Sequence, residues 1–435
     1  MFRFPFFRNK RDGRRSALWQ NANFINLWSA ESVSQFGTQI SLLAIPLIAA
    51  LNLDASPLEM GILGAAGGLP RFIFGFLIGP WVDRHNKRRI MLVTDIGRTI
   101  TLLAIPFAWW LDVLTIPLLL LVAVAVGIQS VLFNTAYSAI VPVIVERRQL
   151  GDAHSKLWAS VSLAQAVGPA VAGGLVSIMS APFVTIINAA TYLWSGFFIR
   201  KVDADESELK EDTTTHRWRH EIMDGFRVLV ASPIMRATTT TSVLVSLTGN
   251  MFLSVYVLYM ANDLNLTSSG IGLVYAAGGV GALLGTMVSG WFVQRLGVGG
   301  TIVWGAVACG AFGIAVPAAI LVPDYALPLI VVAEFLQWMA LTVHDVNRVA
   351  LRQALTPNRL QGRIAASTQT LYGGAQTAGL LLGGLIAEVI GVQITLVIGI
   401  VGMFVATWFV WNSPTRQQRT MPDEPDPHFA LMQAS

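Results

Sequence analysis

Apolar residues fall in blocks separated by short polar turns, and most blocks reach the roughly twenty residues a helix needs to cross a hydrocarbon core. Lipid offers no hydrogen bonds to a backbone, so each block is read as α-helix. The pattern predicts twelve of them. They lie at 22–51, 57–81, 90–111, 117–141, 153–178 and 182–200, then at 232–261, 268–293, 298–321, 326–352, 361–388 and 392–411. The fold class is therefore an all-α membrane protein of twelve transmembrane helices in two six-helix bundles, residues 21–200 and 232–412. A basic tail (1–20), a linker (201–231) and a C-terminal tail (413–435) complete the chain.

The placement of charge orients these helices. Connections at 52–56, 112–116, 179–181, 262–267, 322–325 and 389–391 contain no Arg or Lys, whereas the opposite ends carry Arg84, Lys87, Arg88, Arg89, Arg147, Arg148, Arg200, Lys201, Arg359 and Arg363. Positive charge is retained on the inside, so both termini are expected in the cytoplasm of a multi-pass cell-membrane protein. The linker mixes acidic residues with a basic stretch, and an interfacial helix is expected over Trp218–Leu229. The segment after Ser413, rich in proline and charge, is expected to be poorly ordered.

Composition changes the picture by exclusion. Of 435 residues 54% are hydrophobic and 12% charged, about half the charge of a soluble domain. The net charge of +4 resides in the turns, where topology explains it and nucleic-acid binding need not. The single cysteine, Cys309, admits neither an intramolecular disulfide nor a cysteine metal cluster. Dinucleotide loops, phosphate loops and the zinc-binding His-Glu-x-x-His pattern are missing from the sequence. No enzyme activity, metal, cofactor or nucleotide is therefore expected, and an ion gradient is the expected energy source.

The halves repeat. Gly79-Pro-Trp-Val-Asp83-Arg84 after the second helix is answered by Gly290-Trp-Phe-Val-Gln294-Arg295 after the eighth; Gly168-Pro169 with Gly173-Gly174 is answered by Ala378-Gly379 with Gly383-Gly384. Asn134 and Asn347 also stand near equivalent helix ends. Two matching bundles with an interface between them suit alternating access.

On these residues the chain resembles the major facilitator superfamily. The family's turn signature is similar to Gly79, Asp83, Arg84, Lys87, Arg88 and Arg89, with Asn86 where a glycine is usual. The text Trp28–Gly37, Leu69-Pro70-Arg71, Asp95 with Arg98, Asn134–Pro142 and Leu360-Gln361-Gly362-Arg363 narrows the resemblance to the branch of drug, macrolide and siderophore exporters. The fourth-helix arginine usual in the superfamily is absent around Gly127-Ile128-Gln129. The resemblance implies an exporter of amphipathic small molecules by proton antiport, with protons, membrane lipids and a small-molecule substrate as partners, acting as a monomer. A lipid or lysolipid translocator, and a noncatalytic membrane receptor or assembly factor, are the alternatives.

Individual residues divide by role. The resemblance makes Asp83 and Arg84 a gate, and Asp95 with Arg98, three apart on one helix face, a pair supporting it. Glu31 lies a third of the way into the first helix, where a carboxylate costs several kcal/mol unless it faces a cavity, pairs or is protonated. It is the first candidate for proton coupling, with a structural pair to Arg71 or Arg98 as the bland alternative; Glu334 is the second candidate. Arg71 pairs with Glu31 or Asp95, or binds an anionic substrate. Gln129, Asn134, Tyr137, Asn250, Tyr256, Gln337 and Trp338 are candidates for the translocation path, Trp338 and Glu334 being suited to a hydrophobic cation. Ordinary interhelical hydrogen bonding is the competing reading for each. Gly168, Pro169, Gly173 and Gly174 form a helix-packing motif that the resemblance associates with antiporters.

Overall fold

We describe a computed structural model of the chain over residues 17–74, 78–204, 229–230, 232–357, 360–422, 424 and 426, excluding the side chains of Pro80 and Arg147. The long helices are α1 (Ala22–Asn52), α2 (Pro57–Phe74), α3 (Lys87–Trp110), α4 (Ile116–Ile144), α5 (Leu150–Ile178) and α6 (Ala181–Ile199). The second half holds α7 (Pro233–Leu258), α8 (268–296), α9 (298–313), α10 (Ala326–Leu355), α11 (Gln361–Ile390) and α12 (Val392–Trp411). Helices α8 and α9 belong to one continuous run, Ser268–Gly313, broken where Gly297 takes φ 73° and ψ 170°.

Ten helical stretches among the described residues are long and apolar enough to cross a membrane, one of them the 54-residue Ser268–Leu321. Helix α2 is not among the ten, but its 18 residues occupy the start of the predicted second segment. A five-residue helix, Gly79–Asp83, follows it. The linker helix expected over 218–229 lies, apart from Leu229, outside the described residues, as do residues 1–16 of the basic tail.

Local chemistry fixes most ends. Asn21, Asn86, Ser232 and Thr267 cap α1, α3, α7 and α8 by accepting backbone N–H bonds from Phe24, Arg89, Met235 and Gly270. Proline occupies the first turns of α4, α6 and α7, where its missing N–H costs nothing. The tight turns after α1, α3 and α7 place Asp54, Asp112 and Asn265 at φ 48°, 54° and 51°, a region short polar side chains tolerate. Asp54 and Asn265 are equivalents in the two halves, so the sequence repeat is also a repeat of turn geometry.

In the first half α1 packs on α5 and α6, while α4 packs on α2 and α3. In the second, α7 packs on α11 and α12, while the α8–α9 run packs on α10. The halves meet along two seams, α2 on α11 and α5 on α8. Glycine makes both possible. A Cβ on Gly384 would lie 2.8 Å from the Gly61 Cα and 2.7 Å from the Pro57 carbonyl oxygen, and the Gly173 and Gly272 backbones abut equally closely. The Glu388 carboxylate adds a bond from the Leu58 N–H, 3.1 Å. All of these contacts gather at the end remote from the chain termini.

The described residues after Ser413, 414–422 with 424 and 426, depart from expectation, the rest of the tail lying outside the described residues. They form a short 3-10 helix, Pro414–Gln417, and bury Thr415. Gly299 N–H donates to the Gln418 carbonyl at 2.8 Å, and Asp426 N–H to the Leu355 carbonyl at 3.0 Å. Asp426 also accepts from the Ser232 hydroxyl. The charged, proline-rich composition misled because these partners are supplied by helix ends distant in sequence.

Candidate functional site

Two glutamates are buried in the helical bundle among the described residues, one in each half. Glu31 on α1 is 5% exposed and accepts a 2.6 Å bond from the Gln35 amide, one turn along. On α3, Asp95 and Arg98 form a buried ion pair, their three-residue spacing placing them on one face. The Arg98 guanidinium lies between two rings, 4.1 Å from Phe133 of α4 and 4.2 Å from Tyr192 of α6. Tyr192 in turn has its hydroxyl 3.3 Å from Thr38 of α1, and Tyr137 stacks on Phe133 at 6.3 Å. Arg98 is thus the ion-pair partner of Asp95, and Glu31 is held by the neutral Gln35 amide. Arg98 Nε and Tyr137 Oη are buried without a hydrogen-bond partner, whereas the Asp95 carboxylate has the Ser195 hydroxyl beside it.

Glu334 on α10 has a different environment. It is 3% exposed and its two oxygens accept from the Tyr256 hydroxyl at 2.9 Å and the Trp338 indole at 2.8 Å. Tyr275 of α8 stands near it, 6.0 Å from the Tyr256 ring. Both bonds bind α10: one across to α7, the other back to its own next turn. Removing the Tyr256 hydroxyl leaves one carboxylate oxygen unpaired at low dielectric. Tyr256→Phe is therefore expected to cost about 1–3 kcal/mol, read as a lowered thermal unfolding midpoint of the detergent-purified chain, whereas Tyr325→Phe at an exposed site leaves it unchanged.

The other predicted site residues are scattered. Arg71 is exposed in the last turn of α2; Asp95 pairs with Arg98 and Glu31 with Gln35, so the proposed Arg71 pairings do not form. The Asp95–Arg98 pair lies two to three turns inside α3, packed on α4 and α6, rather than at a helix end. Asp83 and Arg84 are exposed at the terminal side of the bundle, with the buried Lys87 ammonium donating to the Asp83 carbonyl at 2.8 Å. Gln129 faces α3, donating to Thr101 at 3.3 Å. Asn134 is exposed while its counterpart Asn347 is buried on Ser289. Asn250 bonds the Ser246 carbonyl within α7, and Gln337 packs against Gly313. Trp338 is 39% exposed despite its bond to Glu334.

The packing motif divides its labour. Gly168 admits Gln39 of α1 in its own half, Gly173 admits Gly272 of the other half, and Gly174 faces open space. Pro169 is buried inside an α5 that continues through it.

Phe133, Tyr192 and Tyr275 were not singled out by the sequence, because an aromatic in a lipid-soluble helix carries no signal of what it faces. Arg348 was also missed. It bonds Asp345 at 2.9 Å and the Tyr372 hydroxyl of α11 at 2.7 Å; its three-residue spacing from Asp345 was a usable signal.

The profile of a family described as transmembrane secretion effector matches residues 16–433. The uncharacterized MFS-type transporter YfiS of Bacillus subtilis is 23% identical over 91% of this chain and 91% of its own length. Macrolide efflux protein A of Streptococcus pyogenes is 23% identical over 85% of this chain and 90% of its own. Among solved structures, a bacterial homologue of the iron transporter ferroportin in its inward-facing state superposes with a TM-score of 0.69 at 15% identity, covering 89% of this chain and 98% of that one.

Proposed function

Because this chain belongs to the transmembrane secretion effector family of major facilitator transporters, we propose that it exports amphipathic small molecules by alternating access in exchange for protons. The observation that carries coupling is Glu31 itself, a carboxylate 5% exposed inside the first-half bundle whose hydrogen bond comes from the neutral Gln35 amide. A carboxylate buried in this way is stabilised by taking up a positive charge, and a proton is the smallest that fits. Glu31 carries it in this reading, and Glu334, each of whose oxygens accepts from a neutral donor, holds α10 to α7. Macrolide efflux protein A favours an amphipathic substrate and outward direction.

Twelve crossings with both termini in the cytoplasm complete the reading. Division of the 54-residue stretch at Gly297, and the α2 helix, raise the ten candidate spans to that number. The glycine seams then close the outer end, and the exposed Asp83 and Arg84 border the inner opening.

The test is substrate-triggered proton release from energised inside-out vesicles containing the full chain. The panel comprises macrolides, tetracyclines, lipophilic cations, catechol siderophores and lysolipids. Release with at least one of the first four classes, above vesicles lacking the protein, is the expected result. Silence with all four, together with movement of a labelled lysolipid, replaces drug antiport by lipid translocation.

A further inference from the structure

Glu334, Trp338, Leu341, Asp345, Arg348 and Arg352 recur at alternating four- and three-residue steps, which places them on one face of α10. Asp345 lies nearly three turns inside the Leu355 end of that helix, yet its side chain is 48% exposed. A carboxylate at that depth borders water rather than lipid. Water therefore reaches past Arg352 and Arg348 to Asp345, and this face of α10 lines an aqueous cavity. From it the two arginines reach α11. Arg348 is buried and fully engaged: its Nε and Nη2 donate to one Asp345 oxygen at 3.1 and 2.9 Å, its Nη1 to the Tyr372 hydroxyl at 2.7 Å. Arg352 donates only to the neutral Thr368 hydroxyl, at 2.7 Å, and keeps the rest of its fork.

Arg71 approaches α11 from its other side. Its neighbours Pro70 and Phe72 pack on Gly127 of α4 and Gly374 of α11, so Arg71 points between those two helices. Leu69 and Ile73, on the opposite face, are exposed and apolar, as lipid requires. A Cβ on Gly67, one turn before Arg71 on its own face, would meet nothing within 4 Å. Gly374 is close to Tyr372 along α11, so Arg71 and Arg348 stand at similar depth. Topology accounts for arginines at helix ends, but Arg71 is roughly 20 Å from the Pro57 end of α2 at 1.5 Å per residue, inside a core about 30 Å thick. Neither Arg71 nor Arg352 is ion-paired among the described residues. Glu334, the next acid along the α10 face, has both oxygens engaged. Arg71, Arg348 and Arg352 against Asp345 leave this wall net positive.

We propose that Arg71 and Arg352 form an anion-binding site on the cavity wall, and that the exported molecule is an amphipathic anion. Its carboxylate, sulfonate or phosphate is taken by the two guanidiniums, whose planar forks match such groups, and its apolar body lies toward Trp338, 39% exposed on the same face of α10. Arg348, tied to Asp345 and Tyr372, is a positioning residue that holds α10 to α11. The proposal rests on the export reading and adds to it the charge of the substrate.

The test compares carboxyfluorescein, an anionic xanthene, with rhodamine 6G, a cationic one with the same ring system. Binding of each to the full chain in phosphatidylcholine nanodiscs is read by fluorescence polarisation against empty nanodiscs. Carboxyfluorescein is expected to bind, and Arg71→Gln and Arg352→Gln each to weaken it about tenfold. Arg352→Lys, which keeps the charge and loses the fork, weakens it less. Rhodamine 6G binding and the thermal unfolding midpoint stay unchanged in all three. Absence of carboxyfluorescein binding, or binding that both glutamine variants leave intact, overturns the site. Weakening of both dyes together, or a lowered midpoint, marks lost packing and overturns it as well. Proton-coupled transport of rhodamine 6G without carboxyfluorescein binding removes the anion site and keeps the exporter. Arginine-dependent carboxyfluorescein binding without any substrate-triggered proton release keeps the site and removes antiport.

Discussion

Glu31→Gln is expected to reduce substrate-triggered proton release from inside-out vesicles to the leak of protein-free membranes, the largest functional effect of any single change in this chain. Glutamine keeps the size and the hydrogen bond with Gln35 but can neither lose nor gain the proton. The fold should survive, because Asp95 still neutralises Arg98 and the neutral amide is cheaper to bury than a carboxylate. Binding of a fluorescent substrate to the purified variant should stay within a few-fold of wild type. Loss of binding together with release would instead make Glu31 a substrate contact. Release that persists at wild-type amplitude would move the proton site elsewhere, and Glu334→Gln would be the next variant to measure.

Gly384→Val is expected to lower transport at least tenfold without preventing insertion. The added Cβ would lie 2.7 Å from the Pro57 carbonyl oxygen and 2.8 Å from the Gly61 Cα, both backbone atoms that no rotamer change can move. Overpacking of this kind costs about 1–3 kcal/mol, and here the cost falls only on the state in which α2 and α11 touch. The halves should part at that end, and the equilibrium should shift by about 5- to 150-fold. A cysteine at Leu58, beside the Glu388 bond, should then label faster with a membrane-impermeant thiol reagent added outside. Unchanged labelling and transport would mean that this seam does not close the outer end. Gly174→Val, at a glycine facing open space in the first-half copy of the motif, is the matched substitution that should leave both unaltered.

Much of the architecture was legible because it depends on local chemistry. Helix α1 was expected at 22–51 and occupies Ala22–Asn52; α12 was expected at 392–411 and occupies Val392–Trp411. Lipid-length apolar runs and capping residues specify such limits without reference to any other part of the chain. The repeat of glycine motifs likewise reappears as two equivalent seams, Gly173 on Gly272 and Gly384 on Gly61. The predicted second segment, at 57–81, holds α2, Pro57–Phe74, and a short helix from Gly79, residues 75–77 between them lying outside the described residues.

Partners were legible only when they stood on one helix. Asp95 and Arg98, or Glu334 and Trp338, are three and four residues apart, and helical periodicity brings them together. The choice of Arg71 as a partner for Glu31 failed for want of any such constraint. Nothing along the chain says that Arg98 will sit between Phe133 and Tyr192, or that Tyr256 will reach Glu334 across 78 residues.

The sequence by itself determined that this is a two-half, multi-helix membrane protein, where most helices begin and end, and which residue types are costly enough in lipid to demand an explanation. Only the tertiary structure decided what meets those residues. Hydrophobic length and capping are properties of a single segment, but the facing of a helix within its bundle is set by packing against neighbours from elsewhere in the chain. Whether a buried acid finds a guanidinium, a pair of neutral donors or open space is settled by that packing alone.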